Sequence, residues 1–469
     1  MMGAPVITAG RLLREFEMPL DRDNRFPSAP AGKYQGHARN KLFTLAPDPE
    51  LTEVGPGTPC GEYLRRYWQP IALTSMVGEL PLRLRRMGED LVLFRDRRGR
   101  YGLLHLYCAH RNTSLEYGII EESGIRCCYH GWLFDVDGAI LETPGEPASS
   151  SIKHSHCQGA YPVIEHHGLI FAYFGPIEET PPFPIFDTME LPDDKMVPFL
   201  IPVPTNWVQV FENSADPFHV TFLHSRVSGI QFQERLWHLP TVTYHDRPNG
   251  QFYTSSRKVG DLAWFRVHDH LVPNFSQNGG MHVDGESPTY FVRTGLTRWI
   301  VPVDDENCIY VAWRHFNKET DPHGKGKPEL CGYNSVDFYG QTDARDYETR
   351  QRNPGDYEAW IGQGAITVHG RETLAFTDKG VAAFRRRLRR GIRKMKEGER
   401  PFPMTDLGQP VPTYGGDTIL RVPANTLDDA ALLEQLSHKI AAIYHSGDHL
   451  VGGERIEHIR QALRVLEAS

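Results

Sequence analysis

Two short segments constrain this chain more than anything else in it: Cys108-Ala109-His110 and Cys127-Cys128-Tyr129-His130. The pattern is C-x-H, sixteen intervening residues, then C-x2-H. Each half offers one thiolate and one imidazole from a tight loop. Two Cys and two His suit a [2Fe–2S] cluster with thiolates on one iron and neutral imidazoles on the other, which lifts the reduction potential to roughly −150 to +300 mV. Zinc accepts the same ligand types, so a zinc-binding structural protein is the rival reading. Zinc fingers usually order their ligands Cys-Cys then His-His, whereas here the two types alternate. Cys128, beside a ligand in an expected strand, is read as a core residue.

The surrounding sequence reads as short strands. Leu82–Arg86, Leu91–Arg95 and Tyr101–Leu106 are apolar-rich and separated by Gly88-Glu89-Asp90 and Asp96-Arg97-Arg98-Gly99. Asp137-Gly138 between two apolar triplets is a two-residue hairpin signal. A length of 469 residues allows roughly two to four domains. The division expected is an irregular arm at 1–46, a small all-β cluster domain at 47–175, and a larger α+β region at 176–469. In that region strand character is expected near 241–244, 251–255, 290–294 and 308–313. Helices are expected near 206–224, 356–375, 378–396, 427–444 and 453–467. Strands and helices do not alternate regularly, which argues against a doubly wound parallel sheet.

Composition removes several classes. No apolar run reaches the length of a transmembrane helix. Lys plus Arg is 51 against 59 acids, a net charge of −8, a poor footing for a nucleic-acid binder. Seven Cys are too few for a disulfide scaffold. Met1 to Asp23 lacks an apolar signal core, so a cytoplasmic protein is expected. In that compartment Cys clustered with His points to metal or catalysis.

A second constellation lies in Glu212-Asn213-Ser214-Ala215-Asp216-Pro217-Phe218-His219-Val220-Thr221-Phe222-Leu223-His224. Two His five residues apart, with a carboxylate nearby, suggest the facial triad of a non-haem Fe(II) site, which keeps positions open for O2 and substrate. On an ideal α-helix five residues turn through about 500°, leaving the two rings about 140° apart. Either the helix is irregular here or the iron sits against its side. Asp216 before Pro217 is also a good helix N-cap. Downstream carboxylates that could complete a triad are Asp337, Asp343, Asp346, Glu348, Asp356 and Glu358.

These residues carry a family resemblance. The first constellation, with Gly55-Pro56-Gly57-Thr58-Pro59, Arg65-Arg66-Tyr67-Trp68, Gly88-Glu89-Asp90-Leu91-Val92 and Tyr129-His130-Gly131-Trp132, resembles the Rieske domain of Rieske-type non-haem iron aromatic-ring oxygenases. The branch it resembles is the phthalate dioxygenase-like one, built of α subunits only. The resemblance implies a Rieske [2Fe–2S] domain plus an antiparallel-sheet and helix catalytic domain of helix-grip type. It implies Cys108, His110, Cys127 and His130 as cluster ligands and His219, His224 and Asp356 as ligands of a mononuclear Fe(II). Asp356 follows from an offset of eight residues before Gly364; around it the family's preceding Gln is Gly355 and its Pro is Ala365. Asp216 becomes a bridging carboxylate, hydrogen-bonded to His219 and to a cluster His of a neighbouring subunit, and Asn213 joins it as a catalytic candidate. Ala109 stands where Pro is common.

The resemblance also implies a head-to-tail homotrimer, in which electrons cross from one subunit's cluster to the next subunit's iron. O2 is the co-substrate. No G-x-G-x-x-G follows a strand, so NAD(P)H enters through a separate flavin/iron–sulfur reductase. The function implied is a terminal oxygenase that hydroxylates, dihydroxylates or O/N-dealkylates an aromatic acid or aryl ether; a Rieske electron-transfer protein is the alternative. Neither a nucleic acid nor a membrane is an expected partner. Residues 227–299 are expected to line the pocket, with Trp237, Trp264, Phe265, Phe275 and Phe291 for a flat ring and Arg226, Arg257, Arg266 or Arg293 for a carboxylate. The run Arg385 to Lys394, with Val381, Phe384, Leu388 and Ile392 as an apolar stripe, is read as a surface helix with solvated Arg. Docking of an acidic reductase is the other reading of that run.

Overall fold

The computed structural model describes residues 46–469, apart from 192, 233, 281, 284, 285 and 402–408. The expected arm at 1–46 lies, but for its last residue, outside the described residues.

The cluster region is all-β. One four-stranded sheet orders Leu82–Arg86, Glu89–Arg95, Tyr101–His105 and Ala160–Tyr161. A second joins four very short strands, Ile119–Ile120, Ile125–Arg126, Leu133–Phe134 and Ile140–Glu142. Val92, Phe94, Leu104, Ile125, Phe134 and Ile140 pack together in its core. The hairpin at Asp137-Gly138 forms, with Gly138 in the left-handed region. A three-stranded sheet of Gln69–Leu73, Leu169–Ala172 and Val163–His166 completes this part.

The larger region is built on one antiparallel sheet. Its main path runs Lys195–Val203, Cys308–Phe316, Leu296–Pro302, Phe275–Asn278, Leu262–Leu271, Gly250–Val259 and Thr241–Arg247. Gly416–Arg421 pairs with Leu262–Leu271 and with Thr289–Arg293. One face of the sheet packs Phe252, Phe265, Val267 and Leu420 against the C-terminal helices Asp429–Ser446 and Gly452–Ala468, through Leu433, Ile440, Tyr444, Ile459 and Leu463. The opposite face carries Tyr253, Ser255, Arg257, Arg266 and His268, which line a cavity. Helix Trp207–Ser214 lies on that face: Tyr253 Oη donates to the Ser214 carbonyl at 2.9 Å. Both faces are covered, so strands such as Leu262–Leu271 bury polar and apolar residues alike and lack the hydrophobic/polar alternation that marks a half-exposed strand. That strand, with Lys195–Val203, Phe275–Asn278, Leu296–Pro302 and Gly416–Arg421, was not legible from periodicity.

Other differences have local causes. The helix expected over 206–224 stops at Ser214 and resumes at His219, because Pro217 has no N–H to continue the ladder. The helix expected over 356–375 ends at Ile361, with Gly362 and Gly364 following. Cys128 is exposed and sits in a turn, not in a strand core. The core that contains Ile71 and Ile170 also contains Phe199, Trp207 and Ile300, so apolar packing is continuous across 175/176. Among the described residues no helix is long and apolar enough to cross a membrane.

The Arg-rich helix spans Lys379–Lys396 and buries Val381, Phe384, Leu388 and Ile392 as its stripe requires. Arg385, however, is buried. It holds Glu212 through Nε and Nη2 at 2.5 and 2.7 Å, and Glu372 through Nη1 at 2.5 Å. Arg387 pairs with Asp246, and Arg389 with Asp48. The solvated-Arg reading therefore fails for these three. Stripe packing on one side of the helix brings its flanking guanidiniums onto acids of neighbouring elements.

Candidate metal centres

The two Cys/His loops are built alike. Cys108 N–H donates to the Thr113 carbonyl at 2.9 Å, and Cys127 N–H to the Trp132 carbonyl at 2.8 Å. Each Cys thus closes a loop that ends five residues later. The His110 and His130 rings are 4.6 Å apart, and His110 stacks on Trp132 at 4.6 Å with 2° between planes. Burial first, and the neighbouring Cys127, push the Cys108 thiol up to about 11, while N–H groups of His110 and Arg111 directed at its sulfur act the other way. Paired thiols with amides aimed at one of them suit a group that holds both as thiolates.

Gln158 holds the first loop and was not anticipated. Its Oε1 accepts from Ala109 N–H at 2.7 Å, and its Nε2 donates to the carbonyls of His105 and Tyr107 at 2.8 and 2.9 Å. Ala109 has an N–H that a Pro would lack, and this buried amide satisfies it.

The second centre brings together His219, His224 and Asp356, with one ligand atom from each within 4.8 Å of the others. The chain is a short α-turn at His219–Thr221 and then a π-helical turn over Phe222–Val227. Wider i→i+5 winding brings residues five apart toward one face, which resolves the 140° problem; the two rings lie 5.3 Å apart. Each Nδ1 faces an oxygen: His219 the Asp216 carbonyl at 2.5 Å, His224 the Gln231 Oε1 at 2.8 Å. Each Nε2 is thereby turned to Asp356 Oδ1, at 3.6 and 3.2 Å. Oriented imidazoles of this kind are how proteins preset metal ligands.

Asp356 sits in the first turn of Asp356–Ile361 and is buried. Asn213 Nδ2 donates to its Oδ1 at 3.1 Å, and Gln341 Nε2 to its Oδ2 at 2.7 Å. Burial opposes ionisation, but the His224 and His219 rings and the Gln341 amide outweigh it and hold the carboxyl well below the usual range. Gln341 reaches this position because Gly340 and Gly355 touch: a Cβ on Gly355 would lie 2.3 Å from Gly340 Cα. Only glycine permits that approach. No sequence spacing signalled Gln341. Its amide approaches the carboxylate from a separate loop, whereas the family's Gln precedes the ligand directly.

Asp216 keeps 28% of its side chain exposed. Its Oδ1 accepts from the N–H of Phe218 at 2.8 Å. His219 Nδ1–H donates to the Asp216 main-chain carbonyl; Oδ2 stands at 3.6 Å from that nitrogen, an ion-pair distance. Orientation of His219 thus falls mainly to the Asp216 main-chain carbonyl, with the carboxylate partly exposed beside it.

The cavity beside this centre has an apolar side of Val220, Phe232, Leu236, Leu296 and Phe338, and a polar wall on the sheet. None of Trp237, Trp264, Phe265, Phe275 or Phe291 lines it. Phe265 and Phe291 face the C-terminal helices, and Trp237 is exposed. Strand parity, invisible without the register, sent Phe265 and Phe275 to the face opposite Arg266 and Arg298. Of the four Arg expected at a carboxylate, Arg257 and Arg266 line the cavity. Arg293 pairs with Asp193 and Glu319, and Arg226 covers Phe222 and Trp237.

Comparison with known proteins agrees with this architecture. Residues 67–157 match the Rieske [2Fe–2S] domain model. The chain is 41% identical, over 95% of its length and 99% of the relative's, to the tert-butanol monooxygenase / tert-amyl alcohol desaturase oxygenase subunit of Aquincola tertiaricarbonis. It is also 41% identical to the phenoxybenzoate dioxygenase subunit alpha of Ectopseudomonas oleovorans, over 76% of this chain and 87% of that one. Dicamba monooxygenase bound to dicamba shares the fold at a TM-score of 0.54 and 18% identity, over 72% of this chain and 99% of that one. Relatives matched along nearly their whole length are oxygenase subunits, which sets aside the electron-transfer and zinc-structural readings. The chain belongs to the Rieske-type non-haem iron oxygenase α subunits, in their phthalate dioxygenase-like branch, with the Rieske cluster and mononuclear iron that define such enzymes.

Proposed function

We propose that this chain is the terminal oxygenase of a two-component cytoplasmic system, taking O2 and electrons from a separate NAD(P)H-dependent flavin/iron–sulfur reductase. Residues 47–175 hold the cluster through Cys108, His110, Cys127 and His130. Residues 176–469 hold Fe(II) through His219, His224 and Asp356. The observation that carries this reading is the convergence of two Nε2 atoms on one buried carboxylate beside a cavity. When bound, the metals supply one-electron transfer at the cluster and O2 activation at the mononuclear site.

The protein's own groups do the rest. The Asp216 carbonyl and Gln231 fix the imidazole orientation. Gln341 and Asn213 hold the Asp356 carboxylate, and the apolar side of the cavity excludes water from the reacting face. The partly exposed Asp216 carboxylate is the group proposed to meet a cluster His of the next subunit in a head-to-tail trimer, a ring of heterologous interfaces. The substrate proposed is an aromatic acid or aryl ether, on the branch to which the chain belongs. A second reading, a small tertiary alcohol, draws on the full-length likeness to the tert-butanol enzyme.

Metal analysis and reduced-state EPR test the core of this. About three Fe per chain with a Rieske signal are expected for one cluster and one mononuclear site; two Fe, or zinc, overturns the proposal. Substrate-dependent O2 and NADH consumption with a generic reductase, across aromatic acids, aryl ethers and tert-butanol, separates the substrate readings. Product analysis then distinguishes diol formation from dealkylation.

A further inference from the structure

A second cavity, of about 300 Å³, opens beside the Arg-rich helix and shares no lining residue with the cavity at His219, His224 and Asp356. Arg387, Arg390 and Lys394 reach it from the Lys379–Lys396 helix. They stand at i, i+3 and i+7 and so form one stripe, separate from the apolar stripe that packs into the core. Asn249 comes from the turn between strands Thr241–Arg247 and Gly250–Val259, Tyr63 from helix Pro59–Arg65, and Arg400 from the chain after the Arg-rich helix. Gly391 lets Tyr63 in: a Cβ there would lie 2.4 Å from Tyr63 Oη.

Charge in this cavity does not balance. Arg387 pairs with Asp246, and Lys394 with Glu399 at 2.6 Å. Among the described residues Arg390 and Arg400 have neither an ion pair nor a side-chain hydrogen bond. Two positive charges are left over, and two neutral donors with them. Tyr63 is 3% exposed; its Oη accepts from Tyr67 Oη at 3.0 Å, which leaves its own proton without an acceptor among the described residues. Burial pushes that phenol up to about 12, against the Tyr67 hydrogen bond and the Arg390 charge, so it remains a donor at neutral pH. Asn249 is 6% exposed, and its side-chain amide has no protein partner among the described residues. Buried donors of this kind cost free energy when unmet. Both border the same open space as the two unpaired guanidiniums.

We infer that this cavity binds a phosphate group, as the free anion or as a phosphomonoester, held by Arg390, Arg400, the Tyr63 hydroxyl and the Asn249 amide. Charge decides among anions: two unpaired guanidiniums match a dianion, whereas a monocarboxylate neutralises one of them. Guanidinium forks donate to phosphate oxygens in pairs, and such bonds are charge-assisted. The two neutral donors are buried while Arg390, Lys394 and Arg400 are exposed. A small ligand reaches both levels, and an acidic protein segment lying across the cations does not.

The test is calorimetric titration of the metal-loaded, full-length protein with inorganic phosphate, AMP, adenosine, acetate and a hexaglutamate peptide. Phosphate or AMP should bind with a Kd of about 1 mM or tighter, and acetate and adenosine at least roughly 10-fold more weakly. AMP tighter than phosphate identifies a phosphomonoester; the reverse identifies the free anion. Arg390→Gln, Tyr63→Phe and Asn249→Ala should each weaken binding about 10-fold, the scale of one hydrogen bond to a charged group. Arg390 is exposed, so its replacement leaves the fold intact and carries the test if a variant at a buried position does not fold. Arg393→Gln removes the same charge from an exposed position of the same helix outside the cavity and should leave binding unchanged. The inference is overturned if neither phosphate nor AMP binds at about 10 mM, or if acetate binds as tightly. It also fails if Arg393→Gln weakens binding as much as Arg390→Gln, the mark of a diffuse field. Hexaglutamate binding without phosphate binding would make this a face for an acidic protein and overturn the assignment. Phosphate binding unchanged in Arg390→Gln would place the anion elsewhere, the metals included, and do the same.

Discussion

Gln341 shows how much of a metal site can rest on one amide. It donates to the Asp356 oxygen that Asn213 does not contact, and such supporting contacts typically change metal affinity or activity 10- to 100-fold. Gln341→Leu should therefore lose mononuclear iron by about that factor, read by iron content, while the Rieske EPR signal is unchanged. Asp216→Asn makes the opposite case. It keeps the main-chain carbonyl that orients His219, so both metals should stay bound, and turnover should fall about 10- to 100-fold if the carboxylate bridges the centres. Retained activity would refute the bridging role. Neither outcome is readable from residue types. His219 and His224 stood out by spacing, whereas Gln341 depends on two glycines touching in space.

At the scale of elements, the Lys379–Lys396 helix is tied to the Trp207–Ser214 helix, which carries Asn213, by Arg385 and Glu212, both buried. Removing one partner of a buried pair leaves the other charge uncompensated, at about 3–5 kcal/mol. Arg385→Met should lower the thermal midpoint accordingly, and because Glu212 adjoins Asn213 it should also reduce iron retention. The first cluster loop gives a second case: Gln158→Ala strands the Ala109 N–H and two carbonyls, and reduced cluster occupancy is expected by absorbance. Helices with a clean apolar stripe, such as Lys379–Lys396, were legible in the sequence because one face meets water. The central strands were not, because both faces of the sheet are covered. The π-turn at Phe222–Val227 lies between: the His spacing demanded an irregular helix, and only the backbone shows which kind.

For the whole molecule, Glu89 links separate parts of the cluster region, holding Arg65 at 2.9 Å, His105 at 3.1 Å and Tyr161 at 2.6 Å. Burial opposes its ionisation, yet His105, Tyr161 and Arg65 bring its pKa down to about 2 from 4.5. An acid lowered on folding stabilises the fold fully above its unfolded value and loses that contribution as pH falls toward the folded one. Stability should thus decline between about pH 4.5 and 2, and Glu89→Gln should flatten that decline in acid-titrated urea melts. A trimer predicts a solution mass about three times the 53.3 kDa chain. It also predicts that co-assembling a Cys108→Ser chain with an Asp356→Ala chain restores turnover, since a good cluster would face a good iron across an interface; inactivity of the mixed trimer would exclude transfer between subunits. The sequence by itself determined the chemistry. Ligand types in fixed order on short loops need only local geometry, so Cys108, His110, Cys127, His130, His219 and His224 stood out by spacing as candidate ligands. Tertiary structure alone decided the surroundings: which carboxylate-holding amide arrives, which strand face lines the cavity, and which arginines lack a counter-charge. Those depend on register and long-range packing, where a shift of one residue sends a side chain to the other face.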